Sequence, residues 1–283
     1  MMFQKKHESQ IDIHALIMKK IPLITACLII LILPGCNGLV NSLSFFPDRT
    51  FLLNTESLPS FAEEKIISTP DGVKLQLIYF RHVKGSGKVV VYFHGNAGNL
   101  YNRIDEGKRI FGMGHDVVIS GYRGYGRSTG EPTEEGVYID GRTVCDHVSG
   151  TLGYTADKIF IYGRSIGTTV AVDAAMDREL GGVILVTPFS SAVDFIKEKY
   201  PDIFSGIGYG HFESEKKINR LKSPVLVVHG TSDEIVPYKL GVKLYNAYNG
   251  EKELVTINNG MHNDLELTDP GIFWGAFERF LQR

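Results

Sequence analysis

Three residues stand where nucleophilic catalysis would need them. Ser165 lies in Gly163-Arg164-Ser165-Ile166-Gly167, directly after an apolar, β-branched run at 158–162 and directly before a helical pattern through Thr169, Val170, Val172 and Ala174. A serine on a sharp strand-to-helix turn receives the helix's free N–H groups and positive dipole end at its reacting oxygen. Such a turn is tight, so the positions two before and two after the serine must be small, and Gly163 and Gly167 meet that need. A serine hydroxyl is a weak nucleophile at neutral pH and needs a base, which in turn needs an orienting group. Asp233 follows the run PVLVVH at 224–229, and His262 follows the run at 254–257 within Gly260-Met261-His262. All three residues fall just past a strand-like run, the edge at which open α/β sheets meet their ligands.

The competing assignments are weaker. Gly126-Arg127-Ser128-Thr129-Gly130 repeats the G-x-S-x-G pattern, but it follows a glycine-rich run and precedes Glu131-Pro132, which is loop chemistry. Ser128 therefore reads as a loop residue. His211 lies in an irregular stretch and reads as a surface residue, and His229 as a packed strand end. Among acids, Glu234 would point differently from the same turn, Asp264 reads as exposed, and Asp194 is the reserve candidate. The tetrahedral oxyanion of acyl transfer needs two main-chain donors. Ile166 supplies one. Asn96, in His94-Gly95-Asn96-Ala97-Gly98-Asn99 after the run at 88–93, is the expected second, through its backbone N–H. That loop lacks G-x-G-x-x-G and the P-loop pattern, which argues against a nucleotide site.

Positioning these groups requires strands that alternate with helices. Helical patterns are expected at about 103–113, 134–150, 166–178, 239–249 and 269–282, which with the apolar runs gives one α/β domain on a mostly parallel sheet. Five segments then carry a family resemblance: Tyr92-Phe93-His94-Gly95-Asn96-Ala97-Gly98-Asn99; Gly121-Tyr122-Arg123-Gly124-Tyr125-Gly126-Arg127-Ser128; Gly163-Arg164-Ser165-Ile166-Gly167; His229-Gly230-Thr231-Ser232-Asp233-Glu234-Ile235-Val236-Pro237; and Gly260-Met261-His262-Asn263. Together they resemble the compact, lidless serine hydrolases of the α/β-hydrolase superfamily. That subgroup includes eukaryotic depalmitoylases and bacterial dienelactone-hydrolase-like and aminopeptidase-like esterases. The resemblance implies a twisted, mostly parallel sheet with helices on both faces and a minimal cap. It also implies Ser165, Asp233 and His262 as nucleophile, acid and base. It implies no particular substrate.

The amino terminus differs in kind. An almost unbroken apolar run at 21–34 follows Lys19-Lys20 and ends in Leu33-Pro34-Gly35-Cys36. It is short for a membrane span, which needs about 20 residues. It has the form of a signal-peptide core, and it resembles a bacterial lipoprotein signal with Cys36 as the lipidated residue. The competing reading is an uncleaved anchor helix. Met18 is a natural start for such a signal, which would make 1–17 an upstream extension. The expected organisation is an extension and signal at 1–35, a tether at 36–60 and a catalytic domain at 61–283, with attachment to a membrane outside the cytoplasm. By resemblance to Gram-negative lipoproteins, Asn37 after the cysteine implies an outer membrane where the source has one.

The net charge of −2 shows no basic excess, so nucleic acid is not an expected partner. Three cysteines, at 27, 36 and 145, leave only Cys145 inside the catalytic domain, with no disulfide partner there. No Cys/His cluster has zinc spacing, and neither a metal nor another cofactor is expected. Specificity should come from 190–223, too short for a large lid. Its Tyr200, Phe204, Tyr209 and Phe212 either form an acyl pocket or pack the segment onto the sheet. The expected chemistry is hydrolysis of a small-molecule or acylated ester or thioester. The alternatives are a peptidase for short peptides and a non-enzymatic, lipid-anchored hydrolase-like protein.

Overall fold

The uninterrupted apolar runs become strands buried on both faces, as parallel strands covered by helices must be. A computed structural model describes residues 37–49, 58–85 and 87–283. Its strands are β1 Phe46–Pro47, β2 Ala62–Ser68, β3 Lys74–Phe80, β4 Val89–Phe93, β5 Ala97–Gly98, β6 Asp116–Ser120, β7 Ile159–Arg164, β8 Gly182–Val186, β9 Val225–Gly230 and β10 Lys252–Ile257. Its α-helices are α1 Asn37–Ser44, α2 Ile104–Phe111, α3 Glu134–Gly150, α4 Gly167–Ala175, α5 Ala192–Lys199, α6 Ser214–Lys217, α7 Tyr238–Ala247, α8 Leu265–Thr268 and α9 Pro270–Leu281.

Eight strands form the main sheet in the order β10-β9-β8-β7-β4-β6-β3-β2. The strands from β10 to β6 run parallel, while β3 pairs antiparallel with both β6 and β2. Alternate residues of each strand enter opposite layers. Ile159 and Ile161 of β7 pack with Val144 and Val148 of α3 and Val170 of α4. Phe160 and Tyr162 pack on the other face with Phe277 and Phe280 of α9. The chain leaves β4 toward β6 and later returns to β7 on β4's other side. A crevice opens at such a reversal, outside the carboxyl ends of the strands. The expected runs at 88–93, 158–162, 224–229 and 254–257 and the five expected helices all form within a few residues of their predicted bounds.

The stretch assigned to a tether, 36–60, needs correction in its first part. Residues 38–49 fold onto the catalytic domain. Val40 and Phe45 are buried, Phe46 N donates to Asn96 O at 3.0 Å, and Asn41 Oδ1 accepts from Glu134 N at 3.1 Å. Val40 within the helix and Phe45 just after it join the hydrophobic core beneath this polar-looking segment. The extension, the apolar run at 21–34 and Cys36 lie outside the described residues. Among those residues, no helix is long and apolar enough to cross a membrane.

Candidate active site

Ser165 has φ 55°, in the left-handed region that costs a non-glycine residue about 1–3 kcal/mol. Neighbouring strands and the helix hold it there. Ser165 N donates to Val186 O at 2.9 Å, and Thr168 Oγ1 donates to Ser165 O at 2.6 Å. A Cβ on Gly167 would fall on the carbonyl oxygens of Phe93 and His94, and one on Gly163 would meet the backbone of Gly167 and Thr168. The two glycines thus let β7, β4 and α4 close tightly enough to force the elbow.

His262 Nε2 lies 3.0 Å from Ser165 Oγ. Its Nδ1 lies 2.8 Å from Asp233 Oδ2 and 3.0 Å from Oδ1. Nδ1 faces only carboxylate acceptors, so it carries the proton and leaves Nε2 free to accept from the serine. Asp233 is buried, which alone would raise its pKa. Hydrogen bonds from His229 and His262 and the amide of Val236 overcome that and hold the carboxyl ionised, well below the usual carboxylate range. The structure thus brings Ser165, Asp233 and His262 into one hydrogen-bonded chain at the crevice.

His229 does more than fill a strand end. Its Nε2 donates to Asp233 Oδ2 at 3.1 Å and to Val236 O at 2.9 Å, adding a second imidazole donor to the acid. Its buried Nδ1 has no hydrogen-bond partner among the described residues and lies against Gly241, where a Cβ would overlap the ring. The only sequence signal for this role is its position on the far side of the Gly230–Ser232 turn from Asp233.

The loop after β4 packs against the elbow: a Cβ on Gly95 would stand 3.7 Å from that of Ser165. The main-chain amides of Asn96 and Ile166 donate to no acceptor among the described residues. The orientation of the Asn96 amide has a cause. Buried His94 donates from Nδ1 to Gly95 O at 2.7 Å, fixing the Gly95–Asn96 peptide plane, and burial pushes its imidazole down to about 3, so it stays neutral. Tyr122 Oη donates to His94 O at 2.8 Å and Tyr125 Oη to Asn96 O at 2.7 Å. These supports come from the glycine-rich loop, and sequence reasoning missed them because they act across some thirty positions of chain.

Arg164, beside the nucleophile, was also missed. It is buried and reaches Glu106 at 3.3 Å, Glu266 at 3.2 Å and His262 O at 3.4 Å. Glu106 also accepts hydroxyl protons from the stacked Tyr92 and Tyr162. Strand β7, helix α2 and the His262 loop are thereby tied through one guanidinium.

The other candidates lie in different networks. Ser128 is buried, with Oγ accepting from Gln76 N at 3.0 Å, so it completes the β3 edge. Asp194 accepts from Ser190 and pairs with Lys243. Glu234 Oε2 accepts from the His262 amide at 3.1 Å, and Asp264 Oδ1 from the Met261 amide at 2.7 Å. His211 is not a free surface residue: its Nδ1 lies 2.7 Å from Glu134 Oε2. Cys145 is buried in α3 and its thiol is pushed up to about 12 by burial.

A cavity of about 820 Å³ opens beside Ser165, Ile166, Asn96 and His262. Its walls are apolar: Val40 and Leu43 of α1, Phe195 and Ile196 of α5, and Phe204 and Ile207 beyond. Tyr200 and Phe212 also line it, whereas Tyr209 does not. Most of the aromatics of 190–223 thus face the cavity.

No protein-family model matches the chain. An uncharacterized protein of Mycobacterium tuberculosis is 33% identical over 241 residues, covering 84% of this chain and 86% of that protein. The alpha/beta hydrolase domain-containing protein 17C of Xenopus tropicalis is 33% identical over 203 residues, 70% of this chain and 64% of that protein. Among solved structures, the Pyrococcus furiosus esterase Pf2001 superposes with a TM-score of 0.70 at 19% identity, over 85% of this chain and 98% of that one. The last likeness concerns the fold, and its sheet flanked by helices is the one described above. With the sequence relatives and the fold in agreement, this chain belongs to the α/β-hydrolase superfamily.

Proposed function

We propose that the protein is a serine hydrolase that cleaves carboxylic ester or thioester bonds through an acyl-enzyme. One observation carries this: the chain Asp233–His262–Ser165, with links of 2.8 and 3.0 Å, opens onto an apolar cavity large enough for an acyl group. Ser165 Oγ attacks the acyl carbon as its proton passes to His262 Nε2. The carbonyl oxygen takes the negative charge and is held by the amides of Asn96 and Ile166. His262 then returns the proton to the departing alcohol or thiol, leaving Ser165 acylated. Water, deprotonated by His262, repeats the sequence and frees the acid.

The test is a series of p-nitrophenyl esters of increasing acyl length. Each methylene buried in the cavity contributes about 0.8 kcal/mol, so kcat/KM should rise about fourfold per added carbon until the chain fills the space. A kcat/KM that falls from acetate onward, or no turnover of any ester, contradicts the proposal. The sequence further supports attachment through lipidated Cys36 on the outer side of a membrane, resting on Lys19-Lys20, the apolar run and Leu33-Pro34-Gly35-Cys36. Labelled fatty acid should enter the protein and be lost in Cys36→Ser. Equal mass with no label in both would leave the anchor-helix reading.

A further inference from the structure

Five of the twelve exposed large apolar side chains among the described residues line the single cavity that holds Ser165: Leu43, Phe46, Tyr200, Phe204 and Ile235. They come from three separate stretches of chain, so their convergence follows from the fold and not from one local sequence. Leu43 is 62% exposed, Tyr200 57% and Phe46 54%. An apolar rim of this kind around a site mouth marks a surface that meets something apolar. Of the basic side chains that line the cavity, Arg164 and His262 are buried and Arg103 is half-buried.

The chain outside the described residues says what the rim meets. The apolar run at 21–34 is separated by Gly35 and Cys36 alone from Asn37, the first residue of α1. Leu43 follows in the last turn of that eight-residue helix. At about 1.5 Å per helical residue and about 3.5 Å per extended one, no more than about 20 Å of chain links the end of the run to the rim. A bilayer that takes up the run, or acyl chains on Cys36, is within reach of the mouth.

We propose that the rim Leu43–Phe46–Tyr200–Phe204–Ile235 lies on a lipid bilayer, so that the site draws its acyl group from the membrane phase. The second clause rests on the serine-hydrolase reading; the first does not. Carrying an acyl chain through water would cost about 0.8 kcal/mol per methylene. A mouth seated at the interface passes the chain from one apolar medium to another.

The test uses the full chain reconstituted into phosphatidylcholine vesicles, with or without bromine on the acyl chains. Phe204→Trp, and separately Tyr200→Trp, adds an emitter at the rim. Val83→Trp adds one at a fully exposed site on the loop after β3. Unmodified protein supplies the constant background of Trp274. Emission added at 204 and 200 should fall about twofold in brominated vesicles, and that added at 83 should not change, because bromine quenches only indoles that enter the acyl boundary. Equal quenching at all three positions, or none at 204 and 200, overturns the proposal. So does blue-shifted rim emission that bromine leaves intact in a protein that sediments as a dimer, which would assign the rim to a second copy. Each variant is also treated with a fluorophosphonate. Labelled protein without rim quenching removes the bilayer contact alone, while rim quenching without label leaves that contact standing and removes the catalytic reading.

Discussion

Replacing Asp233 by asparagine should disable the site without unfolding it, through the tautomer of His262. Both oxygens of Asp233 face only donors. Oδ1 accepts from the amides of Ile235 at 3.0 Å and Val236 at 2.7 Å, and Oδ2 from His229 Nε2 at 3.1 Å and His262 Nδ1 at 2.8 Å. Asparagine has one acceptor oxygen, and the two fixed amides claim it. Its NH2 group then faces both imidazoles. His229 can keep its proton on Nε2, because Val236 O still accepts it at 2.9 Å. His262 Nδ1 keeps only a 3.0 Å approach to the asparagine oxygen, which the two amides already occupy, while the NH2 group faces it from 2.8 Å, so its proton moves to Nε2, where it blocks proton transfer from Ser165. A triad locked in the wrong tautomer loses about four decades of kcat, or about 5 kcal/mol. Asp233 does not line the cavity, so KM should hold. The loss of charge-assisted hydrogen bonds should cost about 1.5–3 kcal/mol of stability, visible in a thermal melt. The assay is steady-state hydrolysis of p-nitrophenyl butyrate beside the rate of fluorophosphonate labelling, which should fall in parallel. An Asp233→Asn enzyme within about tenfold of wild-type kcat would refute the tautomer argument.

Three further outcomes follow from groups outside the reacting atoms. Ser128→Ala should leave kcat/KM nearly unchanged while costing about 1–3 kcal/mol in a denaturant titration, because the buried Gln76 amide loses its acceptor. Asp71 is held down to about 2 by Arg123 and Thr69, so its contribution is present above the ordinary carboxylate pKa and is lost as pH falls from about 4 toward 2. Asp71 is well exposed, so solvent screening limits that contribution to about 1 kcal/mol. Asp71→Asn should therefore lower Tm at pH 7 and match wild type near pH 2. The Cys145 thiol, pushed up to about 12, should resist iodoacetamide at pH 8 in the folded protein and react once denatured, as peptide mapping would show. Alkylation of Cys145 at equal rates in both states would contradict its burial.

The parallel part of the sheet was legible because strands such as Val89–Phe93 and Val225–Gly230 are apolar without interruption and end at glycine or histidine-glycine turns. Strand β2, with the sequence AEEKIIS, was not, because an edge strand carries charge on its open side and breaks the pattern. Helix α1 was hidden for another reason. Asn37, Gly38, Asn41 and Ser42 give it the composition of a linker, and it is stabilised by the surface it covers and not by its own propensity. At the site, Ser165, Asp233 and His262 could be read because each follows a recognisable strand. The groups that hold them could not. Arg164 meets Glu266 and the His262 carbonyl from about a hundred positions away, and Tyr125 meets Asn96 O from the far end of the glycine-rich loop. Such partners depend on which strands become neighbours, and local pattern does not encode that.

Fluorophosphonate labelling followed by peptide mass spectrometry tests the central assignment most directly, because only a serine activated by a base reacts at a useful rate. The peptide containing Ser165 should carry the label, Ser165→Ala should abolish it, and Ser128→Ala should leave it in place. Label on Ser128, or an unmodified Ser165 in folded protein, would contradict the assignment of Ser165 as the nucleophile.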